Sequence, residues 1–171
     1  MGIEKTTGIY FESKRDLLKK YILREHEYYI YKFQHYLRKE EKTRNIVSKF
    51  FYRVKKNKIG SKLGFYIPAH VFGSGLHIWH YGNVIVNAGS KVGTNCMLHG
   101  DNCIGNNGKT NECPIIGNNV DIGVGAKVLG NVYIADGVKI GAGAIVVSSC
   151  NTIGATLVGV PAREVNKDKS I

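Results

Sequence analysis

The sequence has no apolar run of the roughly 18 to 20 residues that a membrane-crossing helix needs. Its opening stretch, MGIEKTTGIYFESKRDLLKK, carries no apolar core of the kind a signal peptide requires. Gly2 with Thr6 and Thr7 loosely fits a myristoylation start, a pattern short and common enough to carry little weight. A cytoplasmic location is therefore expected. Cys96, Cys103, Cys113 and Cys150 show no C-x-x-C spacing, which speaks for reduced thiols and against a disulfide framework or a cysteine metal site. Proline is scarce, with three residues, whereas glycine is abundant at 21. That much glycine excludes a plain helical bundle, and that little proline argues against disorder. A fold with many tight corners remains.

The formal charge of +11 is concentrated at the front. Residues 1–60 hold 16 Lys/Arg and 7 Asp/Glu, a net of +9, and residues 61–171 hold 8 and 6, a net of +2. The basic part also has helical periodicity. Ser13 is a natural cap with Asp16 in the capping-box position, and Leu18, Ile22, Tyr29, Phe33 and Leu37 form one apolar stripe. One helix from Ser13 to about Lys42 is expected. A shorter one over Asn45–Lys56 would bury Ile46, Val47, Phe50 and Phe51, and Arg53–Gly60 would form an exposed connection. Tyrosines mixed with cations raise nucleic-acid binding as an alternative, but the aromatics follow the helical stripe and no recognition motif is present. Packing against the body is the better reading, with steering of anionic acceptors or peripheral association with an anionic membrane as further roles for the charge.

From about residue 66 the period becomes six. Val86, Val92, Leu98 and Ile104 recur in sixes, and after a step of twice that length so do Ile116, Ile122, Val128, Ile134, Ile140 and Val146. The residue directly after each is often glycine, as at Gly93, Gly105, Gly117, Gly123 and Gly141, and the fourth after each is mostly small or β-branched. This is the hexapeptide repeat of a parallel β-helix. Each hexad supplies a short strand and a corner, three hexads make one coil, and each coil buries its neighbour's apolar face. The polar stretch Asn106–Cys113 interrupts the ladder without shifting its phase and is expected to loop out.

Four motifs carry a resemblance to a known family. They are Gly75-Leu76-His77-Ile78-Trp79-His80-Tyr81-Gly82 with Ile85-Val86-Asn87; Ile122-Gly123-Val124-Gly125-Ala126-Lys127-Val128-Leu129-Gly130-Asn131; Ile140-Gly141-Ala142-Gly143-Ala144; and Val158-Gly159-Val160-Pro161-Ala162-Arg163. Over Ile67–Val165 the chain resembles the serine acetyltransferase-like branch of hexapeptide acyltransferases, which includes sugar and polysaccharide O-acetyltransferases. The resemblance implies a mainly β protein, a left-handed parallel β-helix with a short N-terminal α-helical arm. It divides the chain into a basic arm (1–65), a catalytic β-helix (66–165) and a polar tail (166–171). It also implies acetyl-CoA as co-substrate, no metal, and a homotrimer or a dimer of such trimers.

In that family a histidine at the position of His80 takes the proton from the acceptor hydroxyl, which then attacks the thioester. Imidazole suits this work because it can accept a proton at neutral pH. The opposing reading is a packed histidine, since His80 falls one hexad before Val86 and in strict phase would point inward. His77, an odd number of positions away, would project to the other face of a local strand, which argues against a shared metal site. His99 lies one coil and one further position after His80, and is a candidate for binding the acceptor or orienting His80; Asp101 is a weaker one. The serine-specific enzymes have an aspartate just before the catalytic histidine, and here the residue is Trp79. A second family histidine is replaced by Cys113. Trp79 and Tyr81 flanking His80 would suit stacking on a sugar ring, so a carbohydrate hydroxyl is the expected acceptor. Serine and a non-catalytic scaffold are the alternatives. For acetyl-CoA the resemblance assigns the backbones of Ala126 and Ala144, one coil apart. Lys127, Lys139 and Arg163 are candidates for the phosphates, each with a solvated surface charge as the stronger alternative taken alone. By the same resemblance an N–H near Gly105–Asn106 is a candidate for the oxyanion. A covalent acyl-cysteine at Cys113 is a minor alternative, because no paired base is evident.

Overall fold

The computed structural model describes residues 10–165. The myristoylation-like start and the polar tail lie outside them. Among the described residues three helices precede fourteen short strands: α1 (Lys14–Ile22), α2 (His26–Lys42) and α3 (Ile46–Leu63). None of the described helices is long and apolar enough to cross a membrane.

The strands are β1 (Phe65–Tyr66), β2 (His77–Ile78), β3 (Val84–Val86), β4 (Lys91–Val92), β5 (Met97–Leu98), β6 (Asn102–Gly105) and β7 (Ile115–Ile116), followed by β8 (Asp121–Ile122), β9 (Lys127–Leu129), β10 (Tyr133–Ile134), β11 (Lys139–Ile140), β12 (Ile145–Val146), β13 (Thr156–Gly159) and β14 (Ala162–Val165). They form three sheets, ordered β1-β3-β6-β9-β12, β10-β7-β4 and β14-β13-β11-β8-β5-β2. From β2 to β12 the chain visits these sheets in strict rotation. All pairs are parallel except β13 with β14.

The register reproduces the repeat. Val84 pairs with Asn102 and Lys127 with Ile145, each step being one coil of three hexads. Across the polar stretch the step is longer by one hexad in every sheet: Met97 to Asp121, Cys103 to Lys127 and Lys91 to Ile115. That extra hexad has been extruded as a loop. All ten aliphatic positions of the count are buried, from Val86 through Leu98 and Ile122 to Val146. Burying such a side chain is worth about 1.5–3 kcal/mol, and the column of them is the main source of cohesion.

The helical region departs from expectation. The predicted single helix breaks after Ile22, where Arg24 takes a left-handed φ of 57° and the chain restarts at His26. The Ser13 cap is present, its Oγ accepting the Asp16 N–H at 3.1 Å. Phe33 and Leu37 are buried as expected, but Leu18 and Ile22 are exposed, because after the break the two helices no longer share one stripe. The third helix runs on to Leu63, through the tract expected to be a connection, and ends at Gly64 with φ 78°. Its Ile46, Val47, Phe50 and Phe51 face outward; the buried side of α3 is Lys56, Gly60 and Leu63. Gly60 has a steric reason: an added Cβ would lie 2.7 Å from the Phe65 carbonyl oxygen and 3.1 Å from the Phe33 ring.

Polar contacts tie the helical part to the sheets, among them those of Tyr10 and Arg38. The Tyr10 hydroxyl accepts the Ile78 N–H at 2.8 Å, donates to the Ile78 carbonyl at 3.0 Å and accepts from Gln34 Nε2 at 3.0 Å. Arg38 donates to the carbonyls of Phe72 and Gly73 while paired with Glu41 at 2.7 Å. The first anchor sits on β2, the strand that leads directly into His80.

Candidate functional site

His80 does not follow the strict phase of the repeat. Ile78, not His80, is the inward residue: it is fully buried and pairs with Leu98, a step two positions longer than the ordinary coil. The two additional residues are absorbed in the corner His80-Tyr81-Gly82-Asn83 between β2 and β3. Gly82 there adopts φ 127°, which side chains rarely allow. The consequence is that His80 is exposed. Packing in the core is thereby excluded for it.

The surroundings of His80 come from three places. Its ring lies 6.1 Å from that of His26, the first residue of α2, and His26 also meets the Tyr81 ring at 5.8 Å. On the next coil Gly100 adopts φ 107°, and a Cβ added there would approach the His80 Cβ at 3.6 Å. Asp101 follows directly, exposed, with φ 53°. His80, Tyr81 and Asp101 thus stand on one stacked pair of corners, and α2 supplies His26 from above the sheet.

His99 is held elsewhere. Its Nε2 is 2.8 Å from Asp121 Oδ1, and its ring stacks on Trp79 at 5.7 Å. Trp79 also stacks on His77 at 4.2 Å with an interplanar angle of 28°. Burial first, and then the neighbouring charge of His99, holds His77 below the ordinary histidine range. An indole already stacked on two imidazoles is a poor platform for a sugar ring. Among the described residues no group of three His, Cys, Asp or Glu side chains is arranged to hold a metal ion.

The residues assigned to the co-substrate lie further along. Ala126 and Ala144 are fully buried on successive coils. The Ala144 carbonyl accepts from Lys127 N at 2.9 Å, and the Ala126 carbonyl accepts from Cys103 N and from Asn102 Nδ2. Lys127 is half-buried, with Nζ 3.4 Å from the Gly125 carbonyl, whereas Lys139 and Arg163 are exposed. Gly105 closes β6, its carbonyl accepting from Gly130 N, and Asn106 opens the loop. Cys113 ends that loop beside Gly89, with Sγ 3.5 Å from the Asn111 carbonyl.

Sequence reasoning missed His26 and Asp121. No periodicity links a helix start to a sheet corner so far along the chain, so His26 carried no signal. Asp121 did carry one: with the loop counted, the stacking step is a coil plus a hexad, and Asp121 falls beside Met97 on the strand adjoining His99.

No protein-family model matches the chain. It is 37% identical over 106 residues to a serine acetyltransferase of Buchnera aphidicola, covering 60% of this chain and 40% of that protein. It is 38% identical over 104 residues to one of Helicobacter pylori, covering 60% of each. The chain thus spans about half the length of the curated relatives it matches. Among solved structures, a serine acetyltransferase in complex with CoA superposes with TM-score 0.65 at 26% identity, over 81% of this chain and 56% of that one. The Brucella abortus serine acetyltransferase with coenzyme A matches 96% of this chain and 66% of that one, with TM-score 0.74 at 23% identity, a likeness of fold. These relatives overturn the expected carbohydrate acceptor, and with it a role in polysaccharide assembly: the acceptor in their names is serine. The chain is similar, in sequence over about three-fifths of its length and in fold over most of it, to the serine acetyltransferases.

Proposed function

We propose that this chain is an acetyl-CoA-dependent serine O-acetyltransferase in which His80 is the general base. The observation that carries the reading is the displacement of His80 out of the hexad phase onto an open corner, in a chain that resembles serine acetyltransferases. The three sheets are read as the faces of a left-handed β-helix over 66–165, with 1–65 as the arm.

The chemistry needs one strong step. A serine hydroxyl is a poor nucleophile, and loss of its proton to the His80 imidazole as it attacks makes it competent. The oxygen adds to the thioester carbonyl, and an N–H near Gly105–Asn106 stabilises the oxyanion. The C–S bond then breaks, the acetyl group is left as an ester on serine, and the proton on His80 passes to the departing thiolate. The small side chains of Ala126 and Ala144 let the thin pantetheine arm approach the coils, while Lys127, Lys139 and Arg163 meet the phosphates. Trp79 occupies the place of the family's aspartate, so the substrate ammonium needs another carboxylate. Asp101 is exposed at the same corner and takes that part. His80, Tyr81 and Asp101 are exposed, and a second β-helix of a trimer is proposed to wall the site.

The test is release of CoA thiol from acetyl-CoA with and without serine. Serine-dependent release that drops about 10²–10⁴-fold in His80→Ala supports the reading. Absence of serine-dependent release by a folded, trimeric protein overturns it.

A further inference from the structure

The outer face of α3 carries an apolar stripe that the fold leaves uncovered. Ile46 is 83% exposed, Val47 77% and Phe50 67%, and Phe51 and Val54 continue the row. At about 100° per residue these five positions span one side of the helix, and the buried Lys56, Gly60 and Leu63 occupy the opposite side. The stripe is therefore not a core face displaced by a turn. It is a second apolar face, pointing away from the protein.

Its borders are cationic. Lys55, Lys58 and Lys62 flank one edge and Lys49 and Arg53 the other. Arg53 pairs with Glu40, but among the described residues Lys49, Lys55, Lys58 and Lys62 have no carboxylate partner. The sequence holds no Asp or Glu at all between Glu41 and Asp101. On the lysine-rich edge, α3 and α2 enclose a cleft of about 480 Å³ in which Lys32 joins Lys55, Lys58 and Lys62 beside Tyr29 and Tyr36. Lys55 Nζ lies 5.3 Å from the centre of the Phe51 ring.

We propose that α3 docks this face on an anionic lipid surface. An apolar stripe bounded by cations is what an interfacial helix presents: the apolar side chains enter the headgroup and acyl boundary, and the lysines reach back to the phosphates. The charge argues for lipid over a second copy of the chain, because pairing two such faces brings the unpartnered lysines of one against those of the other. A bare phosphate backbone would satisfy the lysines but leave Ile46, Val47 and Phe50 in water.

The experiment is flotation of the full chain with vesicles of phosphatidylcholine alone or with phosphatidylglycerol added, repeated at raised salt. The variants are Phe50→Ser/Phe51→Ser and Lys55→Gln/Lys58→Gln/Lys62→Gln. The replaced residues lie on the outward face of α3 or at its edge, so both variants are expected to keep the helical circular dichroism of the parent. Partition onto the anionic vesicles only, weakened by salt, is expected. The lysine variant should lose on the order of a hundredfold, at roughly fivefold per cation, and the phenylalanine variant at least about tenfold. Equal partition onto neutral vesicles, no partition onto either, or partition unchanged in both variants overturns the proposal. Binding to polyglutamate without binding to vesicles overturns it in favour of an acidic protein. Self-association without vesicles that the phenylalanine variant abolishes overturns it in favour of a second copy.

Discussion

His26 and His80, distant in the chain, bring their rings within 6.1 Å of one another, tilted by 36°. One opens α2 and the other stands on a sheet corner, so the arm forms a wall of the candidate site. Gln34 of α2 and Ile78 of β2, two residues before His80, both hydrogen-bond the Tyr10 hydroxyl and so restrain that wall. Replacement of His26 by alanine opens one side of the imidazole. The expected loss is roughly tenfold in kcat/KM for serine, about 1.4 kcal/mol of positioning. His26→Phe should retain the wall and recover most of the rate, and steady-state kinetics of the two variants separates packing from proton chemistry.

Glu40 makes a second link within the arm. It is 1% exposed and receives Arg53 Nε at 2.8 Å and Lys56 Nζ at 3.0 Å. Burial alone would push its carboxyl up, but the hydrogen bonds and charges of Arg53 and Lys56 outweigh this and hold it below the usual carboxylate value. Removing only the carboxylate leaves Lys56 charged and buried. Glu40→Ala should therefore cost about 3–5 kcal/mol, and Glu40→Ala with Lys56→Met should regain most of it. Urea denaturation of the two variants checks this, provided slopes stay constant.

Much of this fold is legible because a repeat is redundant. An error at one hexad is corrected by the next, so the inward column from Val86 to Val146 and the extruded loop could be counted directly. The arm has no such redundancy. An apolar stripe at helical spacing reads as buried, yet Ile46 and Phe50 face outward, and nothing local distinguishes them from Phe33 and Leu37. His80 itself was ambiguous for a definite reason: the two-residue extension of its corner is visible only once Ile78 is seen under Leu98. Contacts between the helical part and the sheets, such as His26 with His80, depend on how the two pack and leave no period in the chain.

Two histidines are expected to make stability depend on pH. His77 is held below its ordinary value of 6.5 by burial and then by the charge of His99. His35 is held below it by burial and then by Lys39 and Lys32. Unfolded, both take up a proton near 6.5, and folded they resist until lower pH. Below 6.5 the unfolded chain therefore binds more protons, and stability rises with pH through that window. The contribution is complete above that value and declines as the solution is acidified. The urea midpoint should fall between about pH 7 and about pH 5, and His35→Gln with His77→Gln should flatten that slope. A midpoint that rises on acidification would contradict the burial of both rings.

On the proposed reading, Asp101 is the carboxylate that recognises the acceptor, and this can be tested. The Trp79 ring is stacked on His77 and His99 and offers no carboxylate. A substrate ammonium at the corner then has Asp101 as the carboxylate next in chain to Gly100, whose Cα faces His80. Asparagine is a suitable probe because it tolerates the left-handed φ of 53° about as well as aspartate does, so Asp101→Asn changes charge with little backbone strain. If Asp101 binds the ammonium, KM for serine should rise at least about tenfold while kcat changes little, the signature of lost uniform binding. If Asp101 acted through His80 instead, kcat would fall and KM would stay. Unchanged kinetics in both parameters would remove Asp101 from the site and leave the ammonium to a carboxylate of a neighbouring protomer.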